Sequence, residues 1–202
     1  MAKEKVFDGK LLPGPVTLGI DQSLTGFALT AMNLEQPDHY ITWVYKSPYK
    51  GVQRLEDIQT WMFDKVEELK KDHTFYDVAM EGTVLASHSA LVLGELAAVV
   101  KLFFFEYFWD THHFITSPDQ RLRTPLQIPP MTLKKFAAGK GNAKKQEMLM
   151  QIYKRWNIEF NDDNAADSYA LARLAGKIFE GPIETTVAEQ IKDEKFRDIV
   201  LP

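Results

Sequence analysis

The sequence predicts an α/β fold: a mixed five-stranded sheet that opens as an antiparallel meander, continues with parallel strands and is flanked by helices. Three observations point to it. Short apolar runs separated by turn residues begin the chain, which is the pattern of a meander. From Arg54 the apolar period becomes that of a helix and another strand-like run follows, so strand and helix then alternate. With 202 residues, 45% hydrophobic and 26% charged, the chain is large enough for one domain with a well-buried core.

Residues 1–15 are read as an N-terminal extension, 16–180 as the domain and 181–202 as a tail. Val16–Asp21 and Phe27–Met32 are two strands joined by a tight turn, with Gly26 available for an unusual backbone angle. Tyr40–Tyr45 is the third strand. Arg54–Lys71 carries Leu55, Ile58, Trp61, Met62, Val66 and Leu69 at helical spacing, and Phe75–Met80 is the fourth strand. Ser87–Trp109 is a long apolar helix in which Gly94 offers a place for another backbone to approach. Glu95, Lys101 and Glu106 interrupt it, whereas a membrane span wants ~20 mostly apolar residues, so it is predicted to be buried. His113–Ser117 is the fifth strand. Pro118, Pro125, Pro129 and Pro130 make 118–130 a loop. Thr132–Ala138 and Ala143–Trp156 are short helices around Gly139-Lys140-Gly141-Asn142, and Asp163–Phe179 is the last helix before Gly181-Pro182 stops it.

The chain has no cysteine, which excludes disulfides and cysteine-ligated zinc, and Met1–Phe7 lacks the apolar stretch of a secretory signal. Both features suit a cytoplasmic protein with no membrane partner. The net charge of −4 hides an asymmetry. Between Arg121 and Arg155 nine Lys/Arg stand against Glu147 alone, so this window carries +8 and the remainder −12. A polyanion responds to that local field, not to the mean.

Three acids stand in settings that suit chemistry. Asp21 follows the first apolar run, in Gly19-Ile20-Asp21-Gln22-Ser23-Leu24-Thr25-Gly26; Glu81 ends the run Tyr76–Glu81; Asp167 lies near the start of the last helix, in Asn164-Ala165-Ala166-Asp167-Ser168. Any one of them alone reads as a solvated carboxylate. Jointly, strand ends and a helix start can bring hard oxygen donors to one place with the rigidity that divalent-metal phosphoryl chemistry needs. Two-metal sites of that kind hold cations ~3.5–4 Å apart against the attacking and leaving oxygens.

Four blocks of the chain resemble the RuvC-type Holliday junction resolvases, particularly the small bacteriophage members, within the ribonuclease H-like superfamily. These are residues 19–28, Met80-Glu81 with the downstream Leu93-Gly94-Glu95, the basic segment from Pro130 to Lys145, and the closing helix from Asp163 to Ala172. The match covers residues 16–178. The resemblance implies a ribonuclease H-like fold and a homodimeric, structure-selective endonuclease that resolves Holliday junctions and other branched DNA. It implies two Mg²⁺ ions per site, with Mn²⁺ as a substitute, held by Asp21, Glu81 and Asp167. Lys145 becomes the residue that offsets transition-state charge. Arg121, Arg123, Lys134, Lys135, Lys140 and Lys144 become phosphate contacts, and an infected bacterial host the setting. The helix Ser87–Trp109, apolar over more of its surface than one sheet face needs, is the expected dimer interface.

Two positions depart from the family pattern. The closing motif has two metal-binding positions three residues apart, and here the earlier one is Asn164, with Asp163 beside it; either can share a helical face with Asp167. In the loop after Glu81, where the family presents an aromatic wedge to the junction, this chain has Val84 and Leu85. Asn164 also motivates an alternative, a catalytically weak junction-binding architectural protein. Residues 19–26 are similar to the phosphate loop of sugar kinases and other actin-like ATPases as well, but those proteins need two such domains and far more chain. His88, His112 and His113 show no ligand spacing, and Phe103–Phe105 read as core or interface.

Overall fold

The computed structural model describes residues 2–82, 90–110 and 125–180. One mixed sheet is built from β1 (Lys3–Asp8), β2 (Gly14–Asp21), β3 (Phe27–Asn33), β4 (Tyr40–Lys46), β5 (His73–Glu81) and β6 (Leu126–Ile128). Their order across the sheet is β1-β4-β3-β2-β5-β6. Pairing is antiparallel from β1 through β4 and β3 to β2, and parallel from β2 through β5 to β6. The expected change from antiparallel to parallel thus happens at β2, the strand that ends in Asp21.

Among the described residues the sheet has six strands, and two of them were not expected. Lys3–Asp8, expected as an extension, pairs with β4 along the sheet edge. Its sequence, Lys-Glu-Lys-Val-Phe-Asp, places charges on both faces, so apolar alternation does not reveal it. Phe7 anchors it against Phe160, edge to face at 5.3 Å, and Glu4 accepts from Trp61 Nε1 at 2.6 Å. β6 falls inside the stretch read as a loop: Leu126 and Ile128 are buried beside β5, between the prolines at 125 and 129. The strand expected at 113–117 and the tail at 181–202 lie outside the described residues.

Helices α1 (Gly51–Leu69) and α2 (Ala90–Asp110) form one core with the sheet face that presents Leu18, Ile20, Leu29 and Met80. α2 buries Leu96, Ala97, Val100, Phe103 and Phe104 but leaves Leu91, Val92, Leu102 and Phe105 exposed. It is therefore buried on one side only. No described helix is long and apolar enough to cross a membrane. A Cβ at Gly94 would meet nothing within 4 Å, so the close backbone approach expected there is not made among the described residues.

The opposite face carries α3 (Pro130–Ala138), α4 (Lys145–Trp156) and α5 (Asp163–Glu180). α5 presents Ala165, Ser168, Ala172, Ala175 and Gly176 at helical spacing, and these small residues let it lie close to β2 and β3. Buried hydroxyls fix its register. Thr17 Oγ1 donates to the Ala172 carbonyl at 2.9 Å, and Ser168 Oγ lies 2.8 Å from Thr30 Oγ1.

Between those two bonds lies Gly19, where a Cβ would stand 2.0 Å from the Ser168 carbonyl oxygen and 2.3 Å from the Ala172 nitrogen. Both neighbours are helix backbone and neither can swing aside. Gly19→Ala is therefore expected at the upper end of the overpacking range, a loss of about 3 kcal/mol or more. Urea unfolding of the purified variant, or its failure to accumulate as folded protein, checks this.

Candidate active site

Residues i and i+2 of a strand share a face, so Thr17, Gly19 and Asp21 of β2 all point toward α5. Thr17 and Gly19 lock the helix down, and Asp21 then emerges beneath its first turns. There Asp21 joins Asp167, and Glu81 arrives from the end of β5, which runs parallel to β2. The three expected acids line one cleft of about 440 Å³ together with Asp163, Asn164, Lys134 and Lys145. Gln22, which sequence reading passed over, ties the two strand ends together: its Nε2 donates to the Glu81 carbonyl at 2.6 Å.

The two cleft lysines come from consecutive helices. Gly139, in the left-handed conformation at φ 78°, ends α3 and lets the chain return, so that Lys134 of α3 and Lys145 of α4 reach the same cleft. Lys145 is ion-paired with Asp163. Asp163 is thus already engaged by a cation, whereas the side chains of Asp21, Glu81 and Asp167 take no hydrogen bond or ion pair among the described residues.

Asn164 packs against Gly26, where a Cβ would lie 2.5 Å from Asn164 Nδ2. Gly26 does not have a positive φ. The expectation of an unusual backbone angle is corrected: this glycine provides room for Asn164. Ser23 and Thr25 shape the turn as read, their hydroxyls 3.3 Å apart.

Crowding buried carboxylates together raises their affinity for protons. Asp21, 6% exposed, is pushed well above the usual range, first by burial and then by the charges of Glu81, Asp167 and Asp163, with Lys145 opposing. Asp167 is pushed up to about 7, by burial and then by Glu81 and Asp163, against Lys134 and Lys145. Burial raises Glu81 too, and both lysines oppose it. Lys145 is itself raised, chiefly by its bond to Asp163.

The donor set fits a hard divalent cation: Asp21, Glu81 and Asp167 offer carboxylate oxygens and Asn164 an amide oxygen, and the cleft's four carboxylates outnumber its two lysines. As placed, no three His, Asp or Glu side chains among the described residues close on a single point.

No protein-family model matches the sequence, and a comparison with curated proteins finds no match. Solved structures do match. RuvC of Thermus thermophilus in complex with a Holliday junction substrate superposes with a TM-score of 0.55 at 17% identity, over 78% of this chain and 90% of that one. A second Thermus thermophilus RuvC structure gives a TM-score of 0.52 at 19% identity, with the same coverage. This chain has the fold of RuvC.

Around the RuvC-type sheet the remaining candidates are dispersed. Lys135 lies half-buried on α3, and Lys140 and Lys144 are exposed between α3 and α4. Glu147 engages both: Lys140 Nζ at 2.7 Å, and the backbone amide of Lys144 at 3.0 Å. Arg121, Arg123, Val84 and Leu85 lie outside the described residues. Leu93, Met148 and Leu149 add an apolar wall that sequence reading did not assign to the site. Nothing about isolated aliphatic residues signals such a role.

The electrostatics have a signed consequence for stability. The folded protein keeps on Asp167 a proton that the unfolded chain releases near its ordinary value of 3.8, and gives it up only at about 7. Ionisation therefore costs folding free energy, with no cost below about pH 4 and the full cost above about pH 7. In EDTA at pH 8, Asp167→Asn should melt at least about 2–4 °C above wild type, the shift that ~1 kcal/mol gives in a chain of this size. The gain should vanish toward pH 4, and thermal scans at the two pH values check it.

Proposed function

We propose that this protein is a structure-selective DNA endonuclease that resolves Holliday junctions and other branched DNA by metal-dependent hydrolysis of phosphodiester bonds. The observation that carries the reading is that the side chains of Asp21, Glu81 and Asp167, without hydrogen-bond or ion-pair partners among the described residues, line one cleft with Lys134 and Lys145. A fold shared with a RuvC that was captured on a Holliday junction supports the choice of substrate.

In this reading Asp21, Glu81 and Asp167 hold Mg²⁺, or Mn²⁺ in its place, as a pair of ions per site. Once bound, such ions supply an activated water and stabilise the departing 3′ oxygen. The protein's own groups do the rest. Gln22 keeps the ends of β2 and β5 in register, so that Asp21 and Glu81 face the same phosphate. Lys134 and Lys145 place cations beside that phosphate, where charge grows in the transition state. Asp163 aims Lys145 and so acts as a positioning residue, while Asn164 supplies a neutral oxygen beside the ligands. Lys135, Lys140 and Lys144, with Arg121 and Arg123, extend the cationic path along the DNA backbone. Symmetric cutting of two strands needs two sites, and the exposed Leu91, Val92, Leu102 and Phe105 of α2 offer an apolar face for a homodimer.

The deciding experiment compares a synthetic four-way junction with matched linear duplex, in Mg²⁺ or EDTA. Paired, metal-dependent nicks near the crossover are expected from wild type, and Asp21→Asn should bind the junction without cutting it. Cleavage retained by Asp21→Asn would sink the assignment. Binding without nicks by wild type would favour the architectural alternative that Asn164 raises.

The division of labour between the acids is separately testable. Asp163→Asn should lower kcat about tenfold, less than the 10²–10³ that losing a transition-state donor costs, and leave the Mg²⁺ concentration dependence unchanged. A shifted Mg²⁺ dependence would instead make Asp163 a ligand.

A further inference from the structure

The rim of the sheet that holds the acidic cleft continues past β3 to the ends of β4 and β1, and there it is cationic. Lys46 ends β4 and stands directly opposite Lys3, the first residue of β1. Lys50 follows on the loop into α1, and all three lysines are exposed. Arg54 braces that loop, its Nε donating to the Tyr49 carbonyl at 3.0 Å.

Lysines facing each other across an antiparallel pair repel, so nothing in the fold itself favours this arrangement. Lys3, Lys46 and Lys50 take no ion pair among the described residues. The acids of the surrounding elements are turned elsewhere. Glu4 goes to Trp61 and Lys65 on the other face of the sheet, Asp57 accepts from Tyr45, and Asp162 is paired with Lys5. An external anion spanning these lysines would relieve the repulsion.

Their place relative to the cleft says which anion. At ~4.8 Å per strand, β4 lies about 10 Å and β1 about 14 Å from β2, on the side opposite to β6 and α3. One DNA strand presents a charge about every 3.4 Å along the helix axis, so this span equals about three to four phosphates. The cleft therefore sits between two cationic flanks, Lys134–Lys145 on one side and Lys3, Lys46 and Lys50 on the other.

We propose that the β1–β4 rim is a second backbone-binding surface, which holds the duplex arm leaving the cleft on the side away from α3 and α4. The inference takes its ligand from the endonuclease reading, but its residues are none that reading uses. Lysine contacts to phosphate position a duplex without reading bases, so the surface acts alike on all sequences.

The test measures junction affinity in EDTA from 50 to 200 mM salt for three proteins. These are wild type, Lys46→Gln/Lys50→Gln, and Lys10→Gln/Lys71→Gln, which removes equal charge from the opposite end of the sheet. The slope of log affinity against log salt should become shallower by about 1.8 in the rim double variant, ~0.9 per lost phosphate contact, and stay at the wild-type value in the other. Lys3→Gln, on a separate strand, repeats the reading should the loop substitutions disturb α1; it should flatten the slope by about 0.9. Wild-type slopes in the rim variants overturn the surface and leave the endonuclease reading standing. A wild-type protein that neither binds nor cuts the junction overturns both.

Discussion

Helix α5 rests on the backbone of β2 at Gly19, and the position of every acid in the cleft follows from that contact. Helix and strand meet there without a side chain between them, while Thr17 and Ser168 hydrogen-bond above and below. Asp21 stands one step of strand periodicity beyond the glycine, and Asp167 stands next to Ser168 on the helix. The parallel partner β5 then delivers Glu81 beside them, with Gln22 as the tie. Backbone elements packed this tightly hold geometry better than loops would, which is what a site with several converging charges requires.

The same packing makes the cleft electrostatically costly. Asp21 and Asp167 are buried among like charges, and among the described residues Lys134 and Lys145 offset them. Lys145 is shared with Asp163, so its charge is divided between holding one acid and facing the others. Asp163 itself sits in the first turn of α5, where the helix dipole favours a carboxylate, but Asp167 lies a turn further in and gains less. Stability given up at a functional site is a familiar exchange, and the surrounding core carries it: Leu18, Ile20, Phe75 and Tyr169 are fully buried.

Much of this was legible in the sequence because it depends on local pattern. Asp21 and Glu81 end apolar runs, Asp167 lies near the start of a helix rich in small residues, and the basic window from Arg121 stands out by charge alone. What escaped depends on register or on space. β1 has no apolar alternation, since pairing with β4 and the Phe7–Phe160 contact stabilise it. β6 is three residues long, too short for any period to show. Gly26 reads as a turn glycine until Asn164 is seen against it. The pairing of Asp163 with Lys145 joins positions 18 apart, and the register that sets Lys3 opposite Lys46 joins the first strand to the fourth. Neither follows from local periodicity.

The contact at Gly19 also bears on how such a chain changes over generations. Gaining even a methyl group there would push α5 outward, and Asp167 would move with it. Selection for folding alone therefore preserves the arrangement of the carboxylates, whether or not the chemistry is still under selection. A chain in which the acids were replaced would keep this architecture, because the contact that sets it is made by backbone and small residues and not by carboxylates.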